Sequence, residues 1–93
     1  MKKSLVIDAD VQKRLLALPD EQFANVARKL LELNKAFGKP HEHTGLGIRK
    51  LRADLFECRA GLALRVLFRT APGALIVRFV GNHDDVKKYL RAL

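Results

Sequence analysis

The feature that most limits what this chain can become is a change of hydrophobic period near its middle. Up to residue 37 the apolar side chains recur at three- and four-residue steps. Val11, Leu15, Leu16 and Leu18 make one such set, and Phe23, Val26, Ala27, Leu30, Leu33 and Phe37 make the next. That spacing lines one face of a helix, and Arg28, Lys29, Glu32 and Lys35 fall largely on the other side. From residue 55 the apolar runs become short and rich in Val, Leu, Phe and Ile, and they are divided by Ala60-Gly61 and by Ala71-Pro72-Gly73. Such runs read as consecutive antiparallel strands joined by tight turns. A chain that is helical first and stranded second belongs to the α+β class.

Punctuation residues set the boundaries. Lys3 to Asp8 reads as a short first strand, with Asp8 and Asp10 as candidate N-caps for the helix that follows. Pro19 ends that helix, and Asp20 is placed to cap the longer second one. The few residues around Pro19 suit an antiparallel helical hairpin. Gly38 and Pro40 stop the second helix, and a polar, Gly-rich loop then runs to Gly47. Ile48 to Leu51 begins the extended half. The strands are expected at Leu55 to Ala60, Leu62 to Arg69 and Ala74 to Val80, and Asn82 or Asp84 would cap a final helix with Val86, Tyr89, Leu90 and Leu93 as its apolar side. The order is strand, helix, helix, three or four strands, helix, with the helices expected on one sheet face and the other face partly open.

Length allows one core and therefore one domain, residues 1–93. No apolar run approaches the roughly 18 to 20 residues that cross a bilayer, and Met1-Lys2-Lys3 leads into a segment too brief for a signal peptide. A cytoplasmic protein without a membrane partner is the expectation. The single cysteine, Cys58, lies in an apolar strand-like run and reads as a buried thiol. His41 and His43 form a His-x-His pair without further ligands nearby, so neither a metal nor another cofactor is expected.

Charge is where composition begins to speak of partners. The formal net charge is +8, and residues 49–93 carry 10 Lys and Arg against 4 Asp and Glu, so most of the excess lies in the stranded half. Such a surface favours phosphates or an acidic protein. In the run Leu62 to Arg69, Leu62, Leu64, Val66 and Phe68 share one face, while Ala63, Arg65, Leu67 and Arg69 share the other. Glu57 and Arg59 likewise share a face of their strand, and Arg78 alternates against Leu75, Val77 and Phe79. Whether these groups converge on Arg65 depends on hairpin register, which a one-residue slip would invert.

The segments HTGLGIRKLRADLFECRAGLALRVLFR and ALIVRFVGNHDDVKKYL carry a basic-Leu pair (Lys50-Leu51), a Leu-Phe-Glu-Cys-Arg strand, an Arg-Val-Leu-Phe strand and a Val-Gly-Asn-His-Asp-Asp turn into a helix. In that order, behind a helical hairpin, they resemble the RelE/ParE superfamily of toxins from bacterial toxin–antitoxin pairs, over nearly the whole chain. The resemblance implies an N-terminal strand and helical hairpin packed on an antiparallel sheet, with a short C-terminal helix. It also implies a type II toxin that cleaves messenger RNA at the ribosome without a metal, with a cognate antitoxin as partner in a hetero-oligomer. ParE-like members share the fold but inhibit DNA gyrase, so a non-catalytic gyrase inhibitor, or an inactive antitoxin-bound RNA-binding relative, is the alternative.

Metal-free RNA cleavage uses the substrate's 2′-OH as nucleophile. The protein must then move protons and stabilise charge on the phosphoryl oxygens. Arg65, matching the family's strand arginine, suits the charge-stabilising task because guanidinium stays ionised and can hold two oxygens. Arg59 could assist it or pair with Glu57 or Asp54. For proton transfer the candidates are Glu57 and His83, since imidazole is the side chain that titrates nearest neutrality. The expected RNA-binding set is Lys50, Arg52, Arg69, Arg78, Lys87, Lys88 and Tyr89, the tyrosine either stacking on a base or packing its helix on the sheet. Leu55 and Glu57 stand where such nucleases carry lysines, so RNA binding is better supported than cutting.

Overall fold

A computed structural model describes residues 4–36 and 47–93. The elements run β1 (Ser4–Ile7), α1 (Ala9–Leu16), α2 (Asp20–Ala36), β2 (Arg49–Arg52), β3 (Leu55–Ala60), β4 (Leu64–Ala71), β5 (Ala74–Gly81) and α3 (His83–Arg91). The strands form one sheet in the order β1-β5-β4-β3-β2. β2 to β5 make the expected antiparallel meander. β1 crosses to the far edge and runs parallel to β5, with Ser4 opposite Ala74 and Ile7 opposite Val77, so the sheet is mixed. The two helices between β1 and β2 supply the long connection that this crossover needs.

Both sheet faces are covered. α1 and α2 bury Val11, Leu15, Val26, Leu30 and Leu33 against Cys58, Val66, Phe68, Leu75 and Val77. α3 lies on the opposite face, where Val86, Tyr89 and Leu90 meet Leu55, Leu67 and Phe79. The expectation that all helices share one face is therefore corrected. The middle strand carries the reason in its own run, because Val66, Leu67 and Phe68 are all buried and consecutive residues point to opposite faces. Each such side chain contributes about 1.5 to 3 kcal/mol on burial. The two N-terminal helices also divide their work, α1 lying on β5 and α2 on β3 and β4.

Four local expectations change. Leu62 sits in the turn before β4 and is fully exposed, so it does not join the face of Leu64, Val66 and Phe68. A bulge in β5 pairs Leu67 with Phe79 and Phe68 with Val77, leaving Arg78 over. The extra residue moves Phe79 to the α3 face while Leu75 and Val77 stay on the other, breaking the alternation expected through this strand. At α1, Asp8 occupies the N-cap position without a side-chain cap bond; its carboxylate instead pairs with Arg78 at 3.2 Å. Asp20 is the first residue of α2 rather than its cap, since the Phe23 amide bonds the Pro19 carbonyl. The loop residues His41 and His43, and Phe37, lie outside the described residues.

Candidate functional site

The register left open by the sequence is fixed by the β3–β4 hairpin. Arg59 stands opposite Arg65, Glu57 opposite Leu67 and Leu55 opposite Arg69. Directly paired residues share a face, so Glu57, Arg59 and Arg65 come together on the α3 side, beyond the part that the helix covers. On the next strand Arg65 faces Gly81, which offers no side chain. Like charges directly opposite one another are unfavourable, and one carboxylate answers them. Glu57 is buried, with Oε1 accepting from Arg65 Nη1 at 3.0 Å and Oε2 lying 3.5 Å from Arg49 Nη2. Arg49 reaches it because β2 pairs Arg49 with Glu57.

The cluster thus holds three guanidiniums and one carboxylate. Arg59 is exposed, and its side chain makes no hydrogen bond or ion pair among the described residues. A surplus of fixed positive charge at one end of the sheet suits an anion, and its planar donors match the paired oxygens of a phosphate. Glu57 is already engaged by two donors, so its oxygens accept from the arginines rather than from a substrate hydroxyl. His83 opens α3 two residues beyond Gly81 and is exposed. Its position is held by the cap: the Asn82 side chain accepts from the Asp85 amide at 2.8 Å, and Asp85 Oδ2 accepts from the Asn82 amide at 3.0 Å.

The remaining expected binding residues are dispersed. Lys50 pairs with Phe56 and so lies on the opposite face from Arg65. Arg52 donates to the Leu90 carbonyl at 3.1 Å, satisfying the last turn of α3. Arg69 is ion-paired with Asp54. It lies four residues along β4 from Arg65, about 13 Å at the usual strand rise. Arg78 is held by Asp8 at the β1 side. Tyr89 stacks on Phe79 with ring centroids 4.7 Å apart and packs α3 on the sheet. Lys87 and Lys88 are exposed on α3.

Two arginines were not singled out by sequence. Arg49 was hidden because its face depends on the β2–β3 register. Arg14 reaches around β5, donating from Nε to the Val80 carbonyl at 2.7 Å, with its guanidinium 4.5 Å from the Phe79 ring centroid and 3.7 Å from Asp85. It can do so because β1 pairs with β5 only as far as Val77, which leaves the outer edge open from Arg78 to Gly81. A cleft of about 250 Å³ beside it is lined by Arg14, Leu18, Leu64, Val80 and Asp85 among others. Cys58 is buried in the main core, and burial pushes its thiol up to about 12. None of the described helices is long and apolar enough to cross a membrane.

No family model matches the sequence, and no curated protein matches it. Solved structures do. A mutant of the E. coli toxin RelE in its free state superimposes with a TM-score of 0.73 at 16% identity, over 97% of this chain and 93% of that one. The archaeal RelE-RelB complex from Pyrococcus horikoshii OT3 gives 0.72 at 19% identity, over 88% and 96%. The YoeB-YefM complex from Staphylococcus aureus gives 0.63 at 13% identity, over 89% and 99%. At these identities the likeness is one of fold.

Proposed function

We propose that this chain, which has the fold of the RelE toxins, is the toxin of a type II toxin–antitoxin pair and an endoribonuclease acting on messenger RNA at the ribosome. The observation that carries this reading is the opposition of Arg59 and Arg65, with Glu57 bridging Arg65 to Arg49. The fold likeness to RelE and YoeB supports it, and several of those neighbours are complexes with RelB or YefM. A cognate antitoxin is accordingly the proposed partner. Its carboxylates would be drawn to the same basic end of the sheet.

In the proposed reaction the RNA 2′-oxygen attacks the adjacent phosphorus and the 5′-oxygen leaves, giving a cyclic phosphate and a 5′-hydroxyl. Negative charge builds on the non-bridging oxygens, where Arg65 and Arg59 stabilise it. His83 performs one of the two proton transfers and water the other. Glu57 pairs with Arg65 and Arg49 in the free protein and has no part in the proton transfers.

The test is induced expression in a bacterial host, followed by mapping of RNA 5′ ends on translated messages, with Arg65→Ala as control. Cuts within coding sequence that vanish in the variant are expected. Growth arrest with intact messages would refute the nuclease reading and point to a binding target such as gyrase. Retained cutting by a folded Arg65→Ala protein would remove Arg65 from its role.

A further inference from the structure

Glu57 is the one buried charged residue among the described residues. A carboxylate taken out of water is costly unless paired, so Glu57 claims its partners strongly. It claims two arginines of the proposed phosphate site, one with each oxygen. Carboxylate and phosphodiester present the same kind of paired oxygens to a guanidinium fork. The site is therefore filled by an internal anion. An RNA phosphate that engages Arg65 must compete with it.

The two arginines are not equivalent. Arg65 is largely enclosed, with 22% of its side chain exposed, whereas Arg49 is 70% exposed on an edge strand and free to close further on its partner. We propose that Glu57 is a resident stand-in for the substrate phosphate, held by Arg65 in the free protein and left to Arg49 when RNA takes Arg65. The exchange never leaves the buried carboxylate unpaired, because Arg49 stays with it. Arg49 is thus a positioning residue that acts through Glu57. This rests on the RNA-directed reading of the site given above.

The experiment measures binding of a 2′-O-methylated single-stranded RNA oligonucleotide, which cannot be cut, to the full chain and its variants across a salt series. Glu57→Gln is expected to bind about tenfold more tightly, since one charge-assisted bond no longer has to be broken. Its log affinity should fall with log salt at the natural chain's slope, because Arg65 meets the RNA phosphate in both; a slope steeper by about 0.7, one further phosphate contact on a single strand, would mean that the natural chain does not release Arg65 and refutes the exchange. Arg49→Ala should bind more weakly, and Glu57→Gln added to it should restore the loss. If the double variant stays weak, Arg49 contacts RNA directly and the exchange is refuted. Unchanged or weaker binding by Glu57→Gln alone also refutes it, while leaving the site itself intact if Arg65→Ala still abolishes binding. If Arg65→Ala binds as tightly as the natural chain, both readings fall. A measurement on the unaltered protein guards against a folding defect in the variants: the carbon-13 resonance of the Glu57 carboxylate should move as the oligonucleotide saturates. A resonance that stays fixed overturns the proposal.

Discussion

Replacing Gly81 by Ala should damage the site from a distance, through space rather than backbone conformation. Its φ is not among the positive values, which among the described residues occur at Gly47, Gly61 and Gly73. A Cβ at Gly81 would stand 2.7 Å from Asp85 Cβ and 2.9 Å from the Phe79 ring, roughly 0.7 Å inside the 3.4 Å at which ordinary contact begins. Neither neighbour yields easily. Asp85 is tied into the cap of α3, and Phe79 is in contact with both the Tyr89 ring and the Arg14 guanidinium. Overpacking of this kind costs about 1 to 3 kcal/mol, offset by about 0.4 to 1 kcal/mol because alanine restricts the unfolded chain. A net loss of about 1 to 2 kcal/mol should lower the melting temperature by roughly 5 to 15 °C in a domain of this size. The strain is relieved by moving the first turn of α3, which carries His83 relative to Arg65. Misplacement approaching 1 Å costs up to about a hundredfold in rate, so the proposed RNA cleavage should fall ten- to a hundredfold. Gly73→Ala is the control: nothing lies within 4 Å of its Cβ, and its positive φ makes it destabilising without touching α3. A Gly81→Ala protein with unchanged melting and unchanged cleavage would refute the argument.

Asn82→Ala removes one half of the α3 cap and should cost about 1 kcal/mol, read by thermal unfolding, with faster amide exchange confined to the first turn of that helix. Arg14→Ala loses the bond to Val80 and the contact with Phe79; a destabilisation of about 1 to 2 kcal/mol is expected in denaturant melts, and Arg14→Lys should recover only part of it. Cys58 should resist thiol reagents at pH 8 until the protein unfolds. Because its folded value is raised above the ordinary 9.0 to about 12, the folded state keeps a proton that the unfolded chain gives up. This contribution to stability is complete below pH 9 and declines as pH rises toward 12, on the order of 1 kcal/mol per pH unit. An unchanged free energy of unfolding between pH 9 and 10.5 would contradict it.

What the sequence disclosed and what it withheld divide along one physical line. Hydrophobic period is local, so the helices of the first half and the strand runs of the second could be read directly, the turn at Gly61 followed from residue type, and the cap of α3 was narrowed to Asn82 or Asp84, of which the structure uses Asn82. Facing is not local. Arg65 and Glu57 were recognisable as candidates, but only the pairing of Arg59 with Arg65 and of Arg49 with Glu57 turned them into a cluster. The bulge at Arg78 is a single uncounted residue that changes the face of Phe79, and no composition marks it. Charge was likewise legible as a sum but not as a distribution. Arg52, Arg69 and Arg78 look alike in the sequence, yet each is already committed to a partner within the fold.

The parallel pairing of β1 with β5 ties the start of the chain to its end, and synthesis makes that a matter of time. Ser4 must wait for Ala74. At about 5 to 20 residues per second the delay is roughly 4 to 14 s. Through that interval β1 has no neighbour, and the apolar side of α1 has no β5 to cover. Arg65 itself is made well before Gly81 stands opposite it. A growing polypeptide of this design therefore pairs its arginines across β2, β3 and β4 before β5 and α3 close the sheet beside them.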